Sequence, residues 1–343
     1  MDQNATNSTE GPCGLSEMPA RPFFLCLYTV IFLASLVLNS ITVYVYFCKA
    51  TNQSSITIYL KNLAIADLFV CLCLILRIAK YARTSIEIQR IYCNFGAPAS
   101  YLNMYSSILF MGYIAANRYM KIEVRSTFGM SSFLQRVSVA KGLALLTWGV
   151  MMFFMLPNAI LSNQPMPKVF SCMALKSDLG QHWHEMSAHF NVGIFWVAFL
   201  LMVFCYTSIA YHVYRSYKRV QQESSVARRR SNRSIFSLLA VFVFCFVPYH
   251  VCRVPYTLSQ SHKDDFSPYN RFILFQIKEA TLFLSALNVC LDPVIYFFMC
   301  RTFRESLLQK MSSFIRILEF ISKAEGKIMV NITLYYMEKN CQK

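Results

Sequence analysis

The chain has 343 residues, of which 56% are hydrophobic and 15% charged, with a mean hydropathy of +0.40. A soluble domain carries about a quarter charged residues, and 10 Gly with 11 Pro excludes disordered and collagen-like chains, so an integral membrane protein remains. Thirty-three basic residues against 17 acidic ones give a net charge of +16, but the basic residues sit beside apolar runs, where they orient helices in a bilayer rather than bind a nucleic acid polymer.

In chain order, residues 1–21 are polar and lack the apolar core of a cleavable signal peptide. Seven apolar runs follow, at 22–48, 55–80, 92–117, 138–160, 190–213, 234–259 and 273–299. Each matches the roughly 20 residues that a helix needs to cross the hydrocarbon layer. The connections are too short for a soluble domain. The expected architecture is an all-α membrane protein: a seven-transmembrane helix bundle over 22–300, a short amphipathic eighth helix over 301–312, and a cytoplasmic tail over 313–343.

Arg215, Lys218, Arg219, Arg228, Arg229, Arg230 and Arg233 lie between spans five and six against one acid, Glu223, and Arg301, Arg304, Lys310 and Arg316 follow span seven. The positive-inside rule makes these segments cytoplasmic, and they suit both a signalling partner and anionic inner-leaflet lipids. Seven spans then place the N-terminus outside, where Asn4 (NAT) and Asn7 (NST) are glycosylation acceptors. The sequons at Asn52, Asn232 and Asn331 fall inside and stay bare. Three of the 13 cysteines are extracellular: Cys13, Cys93 at the top of span three, and Cys172 after span four. Cys93–Cys172 is the natural disulfide pair in an oxidising compartment, leaving Cys13 without an obvious loop partner.

No phosphate-binding loop, HExxH, CxxC or nucleophile elbow is present, so no enzyme is indicated. His182 and His184 in QHWHE read as loop histidines at the bundle mouth rather than metal ligands. Absence of an internal repeat and scarcity of Gly argue against a transporter. Polar residues within spans carry more information, because burying them in a membrane is expensive. Asn39, Asp67, Asn103, Ser107, Asn288 and Asp292 on spans one, two, three and seven could together form a wet, acidic pocket for a sodium ion. The alternative is separate interhelical hydrogen bonds.

Asn39, LAIAD ending at Asp67, Asn117-Arg118-Tyr119, Trp148, FCFVP ending at Pro248, and LDPVIY over 291–296 occur in order at suitable spacings. Over roughly 22–312 the chain therefore resembles a rhodopsin-type (class A) G-protein-coupled receptor. LPNAILSNQ (156–164), LKSDLGQHWHE (175–185), FVPYHVCRVPYTLSQ (246–260) and IKEATLFLSALNVCLDPVIYFF (277–298) resemble purinergic nucleotide receptors, in the branch of ADP and UDP-sugar receptors and their orphan relatives.

His250, Arg253, Tyr256 and Gln260 share one face of span six by their spacing, Tyr101 and Tyr105 lie on span three, and Lys278 opens span seven. Arg77, Lys80, Arg83, Arg90, Lys168 and Lys176 crowd the same mouth. Such a lining of Arg, Lys and Tyr suits an anionic ligand that carries a ring. The resemblance implies Arg253, Tyr256 and Lys278 for a diphosphate, Tyr101 for the base, and Lys176 and His184 as further contacts. The residues themselves leave Arg253 open to a salt bridge with Glu279, and His250 open to a core role. Three departures from the family pattern stand out. Ala188 replaces an Asn that hydrogen-bonds the base, Ile75 replaces a kinking Pro, and no Cys between spans six and seven can pair with Cys13.

Arg118 has Asn117 before it where most relatives have Asp, which predicts a resting state that is less well locked. The resemblance implies that Tyr206 and Tyr296 swing toward Arg118, with Tyr119, Phe246, Pro248 and Pro293 as further parts of the activation switch. The expected function is a receptor for an extracellular nucleotide or nucleotide sugar of the ADP, UDP or UDP-glucose class, acting through heterotrimeric G proteins of the inhibitory class. The rivals are a lysophospholipid receptor, a receptor active without agonist, and an organic-anion transporter. No cofactor is expected beyond the allosteric sodium ion. The expected location is the plasma membrane, multi-pass, with the N-terminus outside.

Overall fold

A chain inside lipid must satisfy every backbone N–H and C=O internally, so apolar runs of this length become helices. A computed structural model describes residues 21–49, 54–82, 85–127, 135–162, 164–165, 172–219, 225–261, 265–299, 303–305, 308–309 and 312. Helices α1 (Arg21–Tyr44), α2 (Ser55–Tyr81), α3 (Ile86–Ile91), α4 (Ala97–Thr127), α5 (Val137–Ile160), α6 (Asp178–Arg219), α7 (Ser225–Ser261), α8 (Pro268–Ala286) and α9 (Asn288–Met299) follow one another, with no strand among the described residues. Short π-helical turns, Val45–Lys49 and Tyr92–Gly96, extend α1 and link α3 to α4. Glycosylation acceptors Asn4 and Asn7, Cys13 and the tail over 313–343 lie outside the described residues.

Six helical stretches among the described residues are long and apolar enough to cross a membrane; α8 and α9 together supply the last, ending at Pro293. The third span, α4, is less apolar because it carries Asn103, Ser107, Asn117 and Arg118, and it occupies the middle of the bundle against α2, α5 and α6. Its core face, with Ile108, Phe110, Met111 and Ile114, packs on Phe195 and Met202 of α6 and on Phe242 and Phe246 of α7. A second cluster joins Phe24, Tyr28 and Ile31 of α1 to Leu74 and Tyr81 of α2 and Val289 of α9. Leu145, Leu146, Phe153, Val197 and Leu200 are exposed on the outer faces of α5 and α6, as lipid contact requires.

Caps and breaks follow from particular residues. The Ser54 hydroxyl accepts from the Thr57 N–H at 3.2 Å to start α2, and Ser267 accepts from the Asn270 N–H at 3.2 Å ahead of Pro268 to start α8. Span seven is broken at Leu287. Asn39 of α1 catches the chain just beyond, its Nδ2 donating to the Val289 carbonyl at 2.9 Å, while the Ser285 hydroxyl donates to the Cys245 carbonyl of α7 at 3.0 Å.

Three boundaries differ from the apolar runs. Span five begins at Asp178 rather than near 190, so His182 and His184 lie on the opening turns of α6 and not in a loop. Span seven begins at Pro268 rather than 273. The basic segment 215–233 is largely helical, with Arg215 on α6 and Arg228 to Arg233 on α7. Apolarity measures the lipid slab, whereas polar residues continue a helix in water. The expected helix over 301–312 is described only in part, with Phe303 buried against Tyr46 at 6.1 Å between ring centroids.

Candidate functional site

The loop before α6 is drawn over the bundle mouth by the Cys93–Cys172 disulfide, whose Cα atoms lie 5.4 Å apart. The Ser177 N–H donates to the Leu161 carbonyl at 3.1 Å, and a Cβ on Gly180 would stand 2.9 Å from that same carbonyl oxygen. Glycine therefore permits the close approach that seats Lys176 beside the end of α5.

Beneath this loop lies a cavity. Tyr101 and Tyr105 of α4, Lys176, and His184 of α6 line it, and Arg253, Tyr256 and Gln260 of α7 with Lys278 of α8 complete the expected set. His250 is the exception. Its ring stacks on Phe195 at 3.7 Å between centroids and its Nδ1 lies 2.8 Å from the Phe246 carbonyl, so it is a core residue packed between α7 and α6. Tyr249, one residue earlier on α7, lines the cavity, so the lining face is rotated from the one the spacing suggested and His250 falls on its α6 side.

Arg253 is buried, with its guanidinium carbon 5.4 Å from the Tyr101 ring centroid and its Nη2 3.3 Å from His184 Nε2. Tyr249, stacked on Tyr101 at 6.3 Å, continues the aromatic wall. The salt bridge from Arg253 to Glu279 is not formed. Glu279 instead pairs with Lys278, lies 4.0 Å from Lys80 Nζ, and accepts a hydrogen bond from the Tyr81 hydroxyl. Lys278 also lies 5.1 Å from the Tyr256 ring centroid. Arg77 is held between two phenols, donating to Tyr28 at 2.9 Å and Tyr92 at 2.8 Å. Arg77 and Lys80 thus belong to the cavity, whereas Arg90 does not line it, and Arg83 and Lys168 fall outside the described residues.

Two amides escaped the sequence reading. Asn158 of α5 accepts from Lys176 Nζ at 3.1 Å. Asn191 of α6, 3% exposed and lining the cavity, has an Oδ1 with no hydrogen-bond partner, one turn beyond Ala188, which lines it too. An Asn next to a proline in an apolar run was the available signal for Asn158. Asn191, one helical turn beyond Ala188, stood in an apolar run with no motif around it.

Burial pulls the Lys176 ammonium down to about 8, with the positive charge of Arg253 adding to the effect. Its Nζ is held by the Asn158 carbonyl and amide oxygens, each at 3.1 Å, and by the Ser162 hydroxyl at 3.4 Å.

Deeper in the bundle, Asn39, Asp67, Asn103, Ser107, Asn288 and Asp292 are all buried. Asn288 Nδ2 donates to Asp292 Oδ2 at 3.1 Å, and the carboxyl groups of Asp292 and Asp67 hydrogen-bond each other, an arrangement that needs a proton or a cation between them. The Asn103 Oδ1, Ser107 Oγ and Asp292 Oδ1 atoms have no hydrogen-bond partner. Asn39 is a partial exception, since its amide nitrogen is committed to the backbone of Ser35 and Val289.

At the cytoplasmic end, buried Asn117 donates to the Ser55 hydroxyl of α2 at 2.9 Å. Arg118 lies within electrostatic reach of buried Tyr206, and Tyr119 meets Phe204 edge-on at 5.5 Å. Phe246 packs on Phe242 at 5.3 Å, Pro248 lies inside α7, and Pro293 lies inside α9. The Tyr296 side chain is outside the described residues.

The sequence profile of the 7 transmembrane receptor (rhodopsin family) matches residues 38–296. The chain is 39% identical over 314 residues to purinoceptor 14 of Bos taurus, covering 91% of this chain and 92% of the relative. It is 38% identical to G-protein coupled receptor 87 of Mus musculus, covering 90% and 86%, and 38% identical to purinoceptor 13 of Homo sapiens, covering 83% and 80%. The family match and these relatives make it a receptor rather than an enzyme, and a multi-pass protein of the plasma membrane. The chain belongs to the rhodopsin family of seven-transmembrane G-protein-coupled receptors, in its purinergic branch.

Proposed function

We propose that the chain is a receptor for an extracellular nucleoside diphosphate or nucleotide sugar, of the ADP, UDP or UDP-glucose class, that signals through inhibitory-class G proteins. The observation that carries this reading is the charge of the cavity. Among the described residues, Arg77, Lys80, Lys176, Arg253 and Lys278 line it against two carboxylates, Glu185 and Glu279, with tyrosine rings between the cations. Buried cations require counter-charge, and a diphosphate supplies it with oxygens that an Arg fork and Lys point charges both accept. Tyr101 and Tyr249 offer faces for the base, and Asn191 has an acceptor free for its edge. The relatives named purinoceptors support the same ligand class.

The test is G-protein activation in cells expressing the chain, given ADP, UDP, UDP-glucose and lysophosphatidic acid, with and without pertussis toxin. A nucleotide response that the toxin removes supports the reading. A response to lysophosphatidic acid alone replaces it with the lysophospholipid receptor.

Sodium is the ion proposed for the deeper polar cluster. Asp67, Asp292, Asn103 and Ser107 fit it as an all-oxygen set of two carboxyls, one amide and one hydroxyl. Bound there, it would hold the resting packing of spans two, three and seven. The same assay in choline buffer should show raised basal activity. The exposed Arg215 and the basic start of α7 suit anionic inner-leaflet lipids beside the G-protein site.

Lys176 adds a pH dependence with a definite sign. Its charged form binds the anion, and its pKa of about 8 falls above neutrality. Affinity for UDP-glucose should therefore be full below pH 8 and decline as pH rises through it, by up to about tenfold per pH unit. The diphosphate diester of UDP-glucose has no proton to lose between pH 7 and 9, and the onset of uracil N3–H ionisation near pH 9 is common to the wild type and the variant. Binding measured across that range should show the decline in the wild type and a flat profile in Lys176→Arg, whose guanidinium stays charged. A wild-type profile as flat as the variant's would remove Lys176 from the phosphate site.

A further inference from the structure

Asn158 sits in the last turn of α5, 4% exposed, where the loop, α6 and the cavity meet. Its Oδ1 lies 3.1 Å from Lys176 Nζ and 3.1 Å from His184 Nδ1. An ammonium has donors only, so the amide atom facing it is the oxygen. At the other end Nδ2 lies 2.9 Å from the Phe154 carbonyl, which only accepts. The two contacts fix the orientation of the amide independently of each other.

The constraint passes on to His184. Its Nδ1 faces an oxygen that is already accepting, so Nδ1 carries a proton. Its Nε2 lies 3.3 Å from Arg253 Nη2, a group that can only donate, so Nε2 must offer its lone pair. Of the two neutral tautomers and the imidazolium, only the neutral Nδ1–H form satisfies both contacts. The charged groups facing the ring are Lys176 from the loop, Arg253 from α7 and Lys278 from α8, all cations, and α5 contributes only the Asn158 amide. Imidazolium would add a fourth positive charge and set N–H against N–H.

We propose that Asn158 is a positioning residue of the anion site: its amide holds His184 as the neutral Nδ1–H tautomer, so that a neutral acceptor, not a carboxylate, orients Arg253. A carboxylate in that place would aim the guanidinium equally well but compete with an incoming phosphate for its charge. A neutral imidazole aims it and leaves the charge available. Its meaning rests on reading the cavity as an anion site; the tautomer itself does not.

The test uses the full-length receptor, labelled with 15N-histidine and placed in lipid nanodiscs without ligand. The chain has six histidines, so His184 is assigned by the signals lost in His184→Gln. At pH 7.4 the wild type is expected to show His184 Nδ1 in the protonated range and Nε2 in the bare, lone-pair range. Asn158→Leu should lower the Nδ1–H fraction: the Arg253 contact at 3.3 Å still favours a bare Nε2, but no acceptor then pins the ring edge against it, and the ring can turn away from the guanidinium. Asn158→Asp keeps the acceptor but adds charge, and should move Nε2 into the protonated range. A merely structural role for Asn158 would lower receptor yield and leave the tautomer of the surviving protein unchanged. The proposal is overturned by a wild-type His184 that is Nε2–H or doubly protonated, or by an Asn158→Leu tautomer equal to that of the wild type. Silence toward every nucleotide, with the Nδ1–H form present, would sink the ligand reading and leave the tautomer assignment standing.

Discussion

Arg253→Ala is expected to lower the potency of the responding nucleotide on the order of 100-fold, the largest loss among the cavity residues. Arg253 is 6% exposed and its guanidinium already faces an aromatic ring and a neutral imidazole, so aiming it at a phosphate needs no carboxylate to be broken away. Truncating one partner of a desolvated charge pair typically costs about 2–5 kcal/mol, and the lower half of that range corresponds to the stated loss. The vacated volume borders the cavity, so packing suffers less than it would in the core, and surface expression should stay near wild type. Arg253→Lys should recover part of the loss only, since an ammonium cannot grip two phosphate oxygens as a planar fork does. Dose-response curves normalised to surface expression decide it. A shift below threefold would mean that the anion is bound at Lys80 and Lys278 instead.

What was legible from the residues divides along physical lines. The seven spans could be read because lipid demands about 20 apolar residues each, and the disulfide because only two extracellular cysteines flank the mouth. The Arg253, Tyr256 and Gln260 face followed from helical periodicity. The edge of that face did not follow. His250 falls within the same arc as Arg253 yet turns toward α6, stacking on Phe195 at 3.7 Å between centroids, because a helical wheel does not show where a neighbouring helix closes off the arc. Pairings across spans were equally hidden. Glu279 looked like a partner for Arg253, but its position after Lys278 on α8 brings it to Lys80 and Tyr81 of α2. The start of α6 was misread because DLGQHWHE is polar, and a polar helix outside the membrane leaves no trace in hydropathy.

At the opposite end of the bundle, Asn117→Asp should reduce agonist-free signalling several-fold. Asn117 spends its amide donor on the Ser55 hydroxyl, which ties α4 to α2 but places no negative charge beside Arg118. The Asp that the family resemblance supplies at this position holds the neighbouring arginine in the resting state. A carboxylate introduced about 5 Å from the guanidinium gains roughly 1–3 kcal/mol at an effective dielectric near 20, after some desolvation loss. That gain applies only to the conformation in which the two groups meet, so it shifts the resting and active populations by about tenfold or more toward rest. The Ser55 contact survives the change, because its hydroxyl can donate to the new carboxylate, so the fold should hold. The measurement is basal G-protein activation per receptor at the surface, compared with mock-transfected cells. Equal basal activity in the two forms would show that the asparagine is neutral for the switch. A strong fall would mean that this receptor is set partly active by one amide, and that nucleotide binding at Arg253 works on an equilibrium already displaced.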